Sequence, residues 1–209
     1  MEERRTVWNR VHAAHDPDAL SGSDPAEMLR HHELADFLKP GMAVLDIGVG
    51  LGGAAKHFHS LGGVVDCLDV ADEALGTVRP WVNRFFLADE LALLPSSHYD
   101  LAISHLTAQH MTDEDLREQI REVTRALKVG GIFSLHLAGS RISGEDNIEG
   151  PIPEGFDGRM CRSPEYTLEM MLKEVPSRGR KYEFHLLDKI MEWPEFKSYW
   201  HWIHVRREA

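Results

Sequence analysis

Residues Val44–Gly53 read VLDIGVGLGG, an apolar run that carries an acid, Asp46, and then places four glycines within six residues. A glycine-rich turn between a first strand and a helix strips side chains from the backbone. A ligand can then touch the N–H groups of the helix N-terminus, where the helix dipole favours negative charge. The stretch is therefore read as a cofactor seat. Gly48, Gly50 and Gly53 satisfy G-x-G-x-x-G, and Asp69 follows Gly48 by 21 positions, so spacing alone also fits a dinucleotide dehydrogenase. Glycines needed only for a tight turn are the plainer alternative.

Outward from this turn, short β-branched or apolar runs alternate with helical stretches. Strands are expected over 42–47, 63–68, 84–88, 99–104 and 131–137, with helices over 52–61, 71–78 and 113–127. Such alternation specifies a parallel sheet wrapped by helices. Two helices precede it, over 3–14 and 24–38, the second opening on Ser23-Asp24-Pro25 and closing at Lys39-Pro40-Gly41. They are placed to lie across the sheet. Residues 139–163 are rich in Gly, Pro and acids and read as a long, lid-like loop. Ser163-Pro164-Glu165 then starts a helix to about Val175, followed by strands over 182–190 and 197–206.

Composition bounds the function. The chain has 209 residues, 43% of them hydrophobic, enough for one sizeable core. A single domain over 1–209 is expected: a helical cap to residue 39, a cofactor-binding core over 40–138, the insertion, and a C-terminal helix with strands over 164–209. The formal net charge is −11 and the basic residues are scattered, which argues against nucleic acid as a partner. Only Cys67 and Cys161 occur, the start has no apolar signal core, and no apolar run approaches membrane-spanning length. These features suit a cytoplasmic protein with reduced thiols and no membrane partner. Monomer and homodimer are equally open.

Several separate motifs narrow the cofactor. Asp46 stands two residues before Gly48, Gly50 and Gly52, where a nicotinamide site usually has an apolar residue. The second strand ends Cys67-Leu-Asp69-Val70 before a helix start. Phe85-Phe-Leu-Ala-Asp89-Glu90 and Tyr99-Asp-Leu-Ala-Ile-Ser104-His105 follow, and Leu127-Lys-Val-Gly-Gly131 turns into the fifth strand. Over residues 40–137 the chain resembles the class I S-adenosylmethionine-dependent methyltransferases, in particular small-molecule enzymes of the methyltransferase type 11 kind. Val129 departs from the family's proline in that last turn.

The resemblance implies a Rossmann-like α/β three-layer sandwich: a mostly parallel seven-stranded sheet with an antiparallel C-terminal strand. It implies S-adenosyl-L-methionine as cofactor and S-adenosyl-L-homocysteine as product. The cofactor-binding positions carried over are Asp46, Gly48, Gly50, Gly52, Asp69, Val70, Asp89, Glu90 and Ser104. An acid at the end of strand two suits both ribose hydroxyls, which assigns Asp69. Asp66, three residues earlier, turns to the other sheet face and is expected to be a satisfied polar group. Asp89 is expected to accept from the adenine amino group, with the backbone N–H of Glu90 on a ring nitrogen. Asp46 orients the glycine loop or receives the cofactor's ammonium group.

In open α/β sheets the ligand lies beyond the carboxyl ends of the strands, so the segment His105–Met111 is expected to face the methyl donor. Imidazole titrates near neutrality, and His105 or His110 is the expected general base wherever the acceptor arrives protonated. The remaining histidines show no zinc spacing: neither His57 with His59 nor His201 with His204 shares a face, and His31 and His32 are adjacent. No metal is expected. His136 in strand five is first of all a buried, hydrogen-bonded histidine. Family precedent places substrate contacts on the N-terminal helices, the insertion and the late strands. Trp8, His12, His136, Arg141, Arg159 and Trp200 are the candidates. The expected activity is methyl transfer to an O or N atom of a small molecule; an NAD-dependent oxidoreductase and a non-catalytic S-adenosylmethionine-binding partner protein are the alternatives.

Overall fold

The computed structural model describes residues 2–14, 24–141, 162–175, 179–192 and 197–209. Helix α1 (Glu2–Ala14) and helix α2 (Pro25–His31) come first. The Asp24 carboxylate caps α2 by accepting from the Ala26 N–H at 3.0 Å, and proline occupies the first turn, as the sequence indicates. The helix is shorter than its expected span of 24–38. It stops because Glu33 adopts φ 56°, a left-handed conformation that no helix continues.

The sheet-forming region runs β1 (Ala43–Ile47), α3 (Gly53–Ser60), β2 (Val64–Asp69), α4 (Glu73–Val78), β3 (Arg84–Leu87), β4 (Tyr99–Ser104), α5 (Asp113–Ala126) and β5 (Leu127–Arg141). Short 3₁₀ turns cover Ala88–Leu93 and Ala108–His110. Helix α6 (Pro164–Glu174), β6 (Tyr182–Glu192) and β7 (Lys197–Arg207) complete it. Ser163 caps α6 by accepting from the Tyr166 N–H at 3.1 Å. The seven strands lie in the order β3-β2-β1-β4-β5-β7-β6. Strands β1 to β5 pair in parallel and β7 is antiparallel to both neighbours. This is the expected mixed sheet.

Every residue of β1 is buried, as in a central strand covered on both faces. Alternation divides its side chains between two cores. Leu45 and Ile47 join Leu116, Ile120 and Val123 of α5 and Met170 and Met171 of α6. Val44 joins Met28 and Leu29 of α2, Phe58 of α3 and Val78 of α4. Three layers result. Strand β5 begins at Leu127, four residues before its expected start, and its pairing with β4 shifts register between Tyr99 and Leu101. Gly130, at φ 81°, carries the irregularity that places Gly131 against the Tyr99 carbonyl, where a Cβ has no room. The expected lid, residues 139–163, lies outside the described residues apart from its first and last positions. Among the described residues no helix is long and apolar enough to cross a membrane.

Candidate active site

The chain leaves β1 to build β2 and β3 on one side, then returns to place β4 on the other. The carboxyl ends of β1 and β4 therefore open a crevice at the point where strand order reverses. A cavity of about 270 Å³ fills it, walled by the glycine loop, the end of β2, the His105–Met111 segment, α1 and one face of α5.

Two acids sit at its base. Asp46 and Asp69 both line the cavity and are each only 5% exposed. Asp69 accepts from the Gly50 N–H at 3.0 Å and the Ala71 N–H at 2.9 Å, which fixes its carboxylate. Burial nevertheless raises its pKa, with those N–H groups pulling the other way. Asp46 is pushed up to about 7, first by burial and then by the neighbouring Asp69 charge, and its Oδ2 has no hydrogen-bond partner. An acceptor pair of this kind calls for a cationic donor from the ligand. Asp66 is a satisfied group on the opposite face, as expected. Arg84, Asn83 and the Tyr99 hydroxyl all donate to it.

The glycines divide their tasks. Gly50 (φ 52°) and Gly48 (φ 72°) line the cavity in left-handed conformations. A Cβ on Gly48 would collide with Thr107, so its close approach is to the protein itself. Gly52 does not line the cavity; its open side packs toward Val78 and Trp81 as it starts α3. Val70 is on the wall, and its carbonyl accepts from Arg5 of α1 at 3.2 Å.

Three other expected cofactor contacts stand off the cavity wall. Asp89 is half exposed and its carboxylate is held by Arg5 at 2.9 Å, while the Glu90 carboxylate turns back to cap the Leu87 N–H at 2.8 Å. The Glu90 carboxylate thus serves the strand-end turn and Asp89 holds α1, while Ala88 and Leu91 beside them face the cavity. Ser104 is fully buried at the end of β4, its hydroxyl without a partner.

Both expected bases line the cavity. The His105 Nδ1 lies 3.0 Å from His32 Nε2. Burial, then the charge of His31, lowers the His105 pKa to about 4, so the ring is neutral at physiological pH. The His110 ring meets the edge of Trp8 at 5.1 Å, and the Gln109 amide nitrogen lies 3.2 Å from its Nε2. Of the substrate candidates, Trp8 and His12 line the cavity from α1. His136 and Trp200 are buried behind it, in contact at 4.8 Å. The backbone of Arg141 ends β5 opposite Ser198, with its side chain outside the described part. Arg159 lies wholly outside the described residues.

Other wall residues go unnoticed in the sequence. Gln119 of α5 lines the cavity fully buried, with neither atom of its carboxamide hydrogen-bonded. It falls between Leu116 and Ile120 on the apolar stripe of the helix, and that polar interruption is the signal that marks it. Arg4 of α1 and Asp115 of α5 form an ion pair on the rim. Arg162 is 2% exposed and donates to the Ala108 and Met111 carbonyls and to Asp113, which fixes the segment carrying His110.

A model of the methyltransferase domain matches residues 44–131. An uncharacterized methyltransferase of Synechocystis is 35% identical over 101 residues, 47% of this chain and 48% of that protein. The N-terminal Xaa-Pro-Lys N-methyltransferase 1 of Bos taurus is 29% identical over 146 residues, 65% of this chain and 60% of that one. The chain thus spans about half to three fifths of the length of these curated relatives. The 1,6-didemethyltoxoflavin-N1-methyltransferase of Burkholderia thailandensis, solved with 1,6-didemethyltoxoflavin and S-adenosylhomocysteine bound, shares the fold. Its TM-score is 0.67 at 17% identity, over 100% of this chain and 90% of that one. From Val44 to Gly131, the stretch that holds the glycine loop and the parallel strands, the chain is thus similar to a methyltransferase domain.

Proposed function

We propose that this chain binds S-adenosylmethionine in the cavity and transfers its methyl group to an O or N atom of a small-molecule acceptor. The observation that carries the reading is the buried acid pair, Asp46 with an unpartnered oxygen and Asp69 fixed by two backbone N–H groups. The residues present fit the cofactor. Asp46 suits its ammonium group, Asp69 the ribose hydroxyls, and the apolar wall at Ala88 and Leu91 the adenine. Bound S-adenosylmethionine supplies a methyl group already activated on a sulfonium, and S-adenosylhomocysteine remains after transfer.

The protein's own part is alignment, exclusion of water and control of one proton. Trp8 and His12 of α1 cover the crevice. Gln119 offers a donor and an acceptor to the polar part of the substrate, since its buried carboxamide has neither satisfied by the protein. His105 and His110 are the two imidazoles that can take a proton from a hydroxyl or ammonium acceptor.

Titration calorimetry with S-adenosylhomocysteine and with NADH tests the cofactor. Binding of the first and not of the second is expected; the reverse would sink the reading in favour of an oxidoreductase. Incubating the chain with metabolite pools and isotopically methyl-labelled cofactor then tests the acceptor class. A small molecule that gains one labelled methyl group is the expected product. Cofactor binding without any labelled product would reduce the chain to a partner protein.

A further inference from the structure

Behind the cavity wall three histidines from three separate elements come together. His32 follows α2, His105 follows β4 and His136 lies in β5. One ring nitrogen from each lies within 4.8 Å of the other two. The ring centroids are 4.6 Å apart for His105 and His136, 5.2 Å for His32 and His105, and 5.9 Å for His32 and His136. Tetrahedral ligation at a Zn–N distance of about 2.0–2.1 Å puts ligand nitrogens about 3.4 Å apart and imidazole centroids about 5 Å apart. The observed centroid spacings straddle that value. We propose that His32, His105 and His136 bind a divalent first-row transition-metal ion, with zinc as the reference.

The surroundings suit a ligand set better than a charged cluster. His32 and His136 are 0% and 2% exposed. Burial and the other imidazoles hold the rings of His105 and His136 neutral, the form that donates a lone pair. The set holds no thiolate and no carboxylate, and all-imidazole donors suit zinc, copper, iron or nickel rather than magnesium or calcium.

Outer contacts hold the rings of His32 and His136 in place. The His32 Nδ1 lies 2.6 Å from Ser134 Oγ, so a proton on Nδ1 has its acceptor, and Nε2 would exchange its 3.0 Å contact with His105 Nδ1 for the ion. His136 is clamped by Trp202, stacked at 4.5 Å with an interplanar angle of 6°. Its Nδ1 accepts a long bond, 3.3 Å, from the Leu106 N–H. Ligation through either nitrogen gives up that bond, because Nδ1 then carries the proton or has its lone pair on the ion. Leu106 itself is held at φ 56°, the kind of local strain that accompanies functional sites.

His105 belongs both to this set and to the cavity wall, so the site adjoins the cavity. The ion claims His105 as a ligand and leaves the role of base to His110. The inference does not depend on the methyl-transfer reading.

The full chain, stripped of metal by a chelator, is titrated with Co²⁺ while visible absorption is followed, and Zn²⁺ is then added. One equivalent of Co²⁺ with the intensified bands of a four- or five-coordinate ion, displaced by one equivalent of Zn²⁺, is expected. His32→Ala and His136→Ala should each weaken binding by more than about 10-fold, and Ser134→Ala by about 10-fold. His59→Asn, on the exposed side of α3, should leave it unchanged. No uptake, a weak six-coordinate spectrum, or uptake that persists in His136→Ala would each overturn the site and leave a hydrogen-bonded histidine cluster. The wild-type spectrum needs no variant to fold. It is also separate from cofactor binding: a chain that takes Co²⁺ but not S-adenosylhomocysteine keeps this site and loses the proposed function, and the converse holds.

Discussion

The side chain of Thr107 occupies the space that a Cβ on Gly48 would need, 2.7 Å from the Thr107 Cβ and closer still to its hydroxyl. The first glycine of the loop therefore locks β1 to the segment that carries both candidate bases. Thr107 completes the lock by donating to the Ile47 carbonyl at 3.2 Å. Gly48→Ala should cost about 1–3 kcal/mol from its left-handed φ alone, with the collision in addition. Thermal denaturation should show a loss of several degrees, and Thr107→Ala in the same chain should restore part of it. No restoration would mean that the collision is not the cause.

Asp69 and Asp66 should separate affinity from stability. Asp69→Ala should weaken S-adenosylhomocysteine binding by about 2 kcal/mol or more, through loss of charge-assisted bonds. Asp66→Asn should leave affinity within a few-fold and lower the melting temperature, because Tyr99 and Arg84 donate to that carboxylate. Calorimetry and melting curves on the two variants check the order, and the reverse order would misplace the ribose contact.

Asp46 sets a pH dependence. Its folded pKa of about 7 lies above the ordinary 3.8, so its contribution to stability is fully present below 3.8 and is lost as pH rises through 7. The ligand-free protein should lose stability over that window. Affinity for S-adenosylhomocysteine should instead rise between about pH 6 and 8, as the carboxylate ionises to meet an ammonium group. Asp46→Asn should flatten both trends, and calorimetry across the window reads them. A slope unchanged in the variant would assign it to another group, with Asp69 the first to examine.

The proton acceptor is decided by two variants. With metal on the His32, His105 and His136 set, His110→Ala should lower turnover by about 10²- to 10⁴-fold and remove the acidic limb of the rate profile. Affinity for S-adenosylhomocysteine should stay within a few-fold. A limb near pH 4 that survives in His110→Ala and disappears in His105→Ala would transfer the role to His105, whose pKa lies at about 4.

Local signals in the sequence located the elements well where punctuation is strong. Strand β4 spans Tyr99–Ser104 as expected, and Ser163-Pro164 opens α6 where a side-chain cap and a proline coincide. They failed where the turn has no signature. Nothing in His31-His32-Glu33 announces a helix end, and the left-handed Glu33 is held by backbone bonds that form only once the turn exists, its own N–H on the Arg30 carbonyl and the Leu34 N–H on the Leu29 carbonyl. The early start of β5 depends on a register shift that exists only once β4 lies beside it. The site divides in the same way. Asp46 and Asp69 are legible because strand ends and the glycine loop fix them. The histidine cluster joins positions 73 and 31 residues apart along the chain, beyond the reach of any spacing rule. The Arg5 contact on Asp89 is equally beyond such a rule, because it comes from a helix 84 residues earlier.

Helix α1 covers the crevice with little apolar anchorage. Val11 is its one buried side chain among the described residues. It is held instead by Arg4 on Asp115, Arg5 on Asp89 and the Val70 carbonyl, and Asn9 on Asp72 at 2.6 Å. Contacts between exposed charges weaken once the Debye length falls from about 10 Å at 0.1 M salt to about 3 Å at 1 M. Ionic strength thus acts as a valve on the crevice. Added salt should speed release of S-adenosylhomocysteine while sparing the acid pair beneath it, so that retention in the crevice is set by the salt of the surroundings.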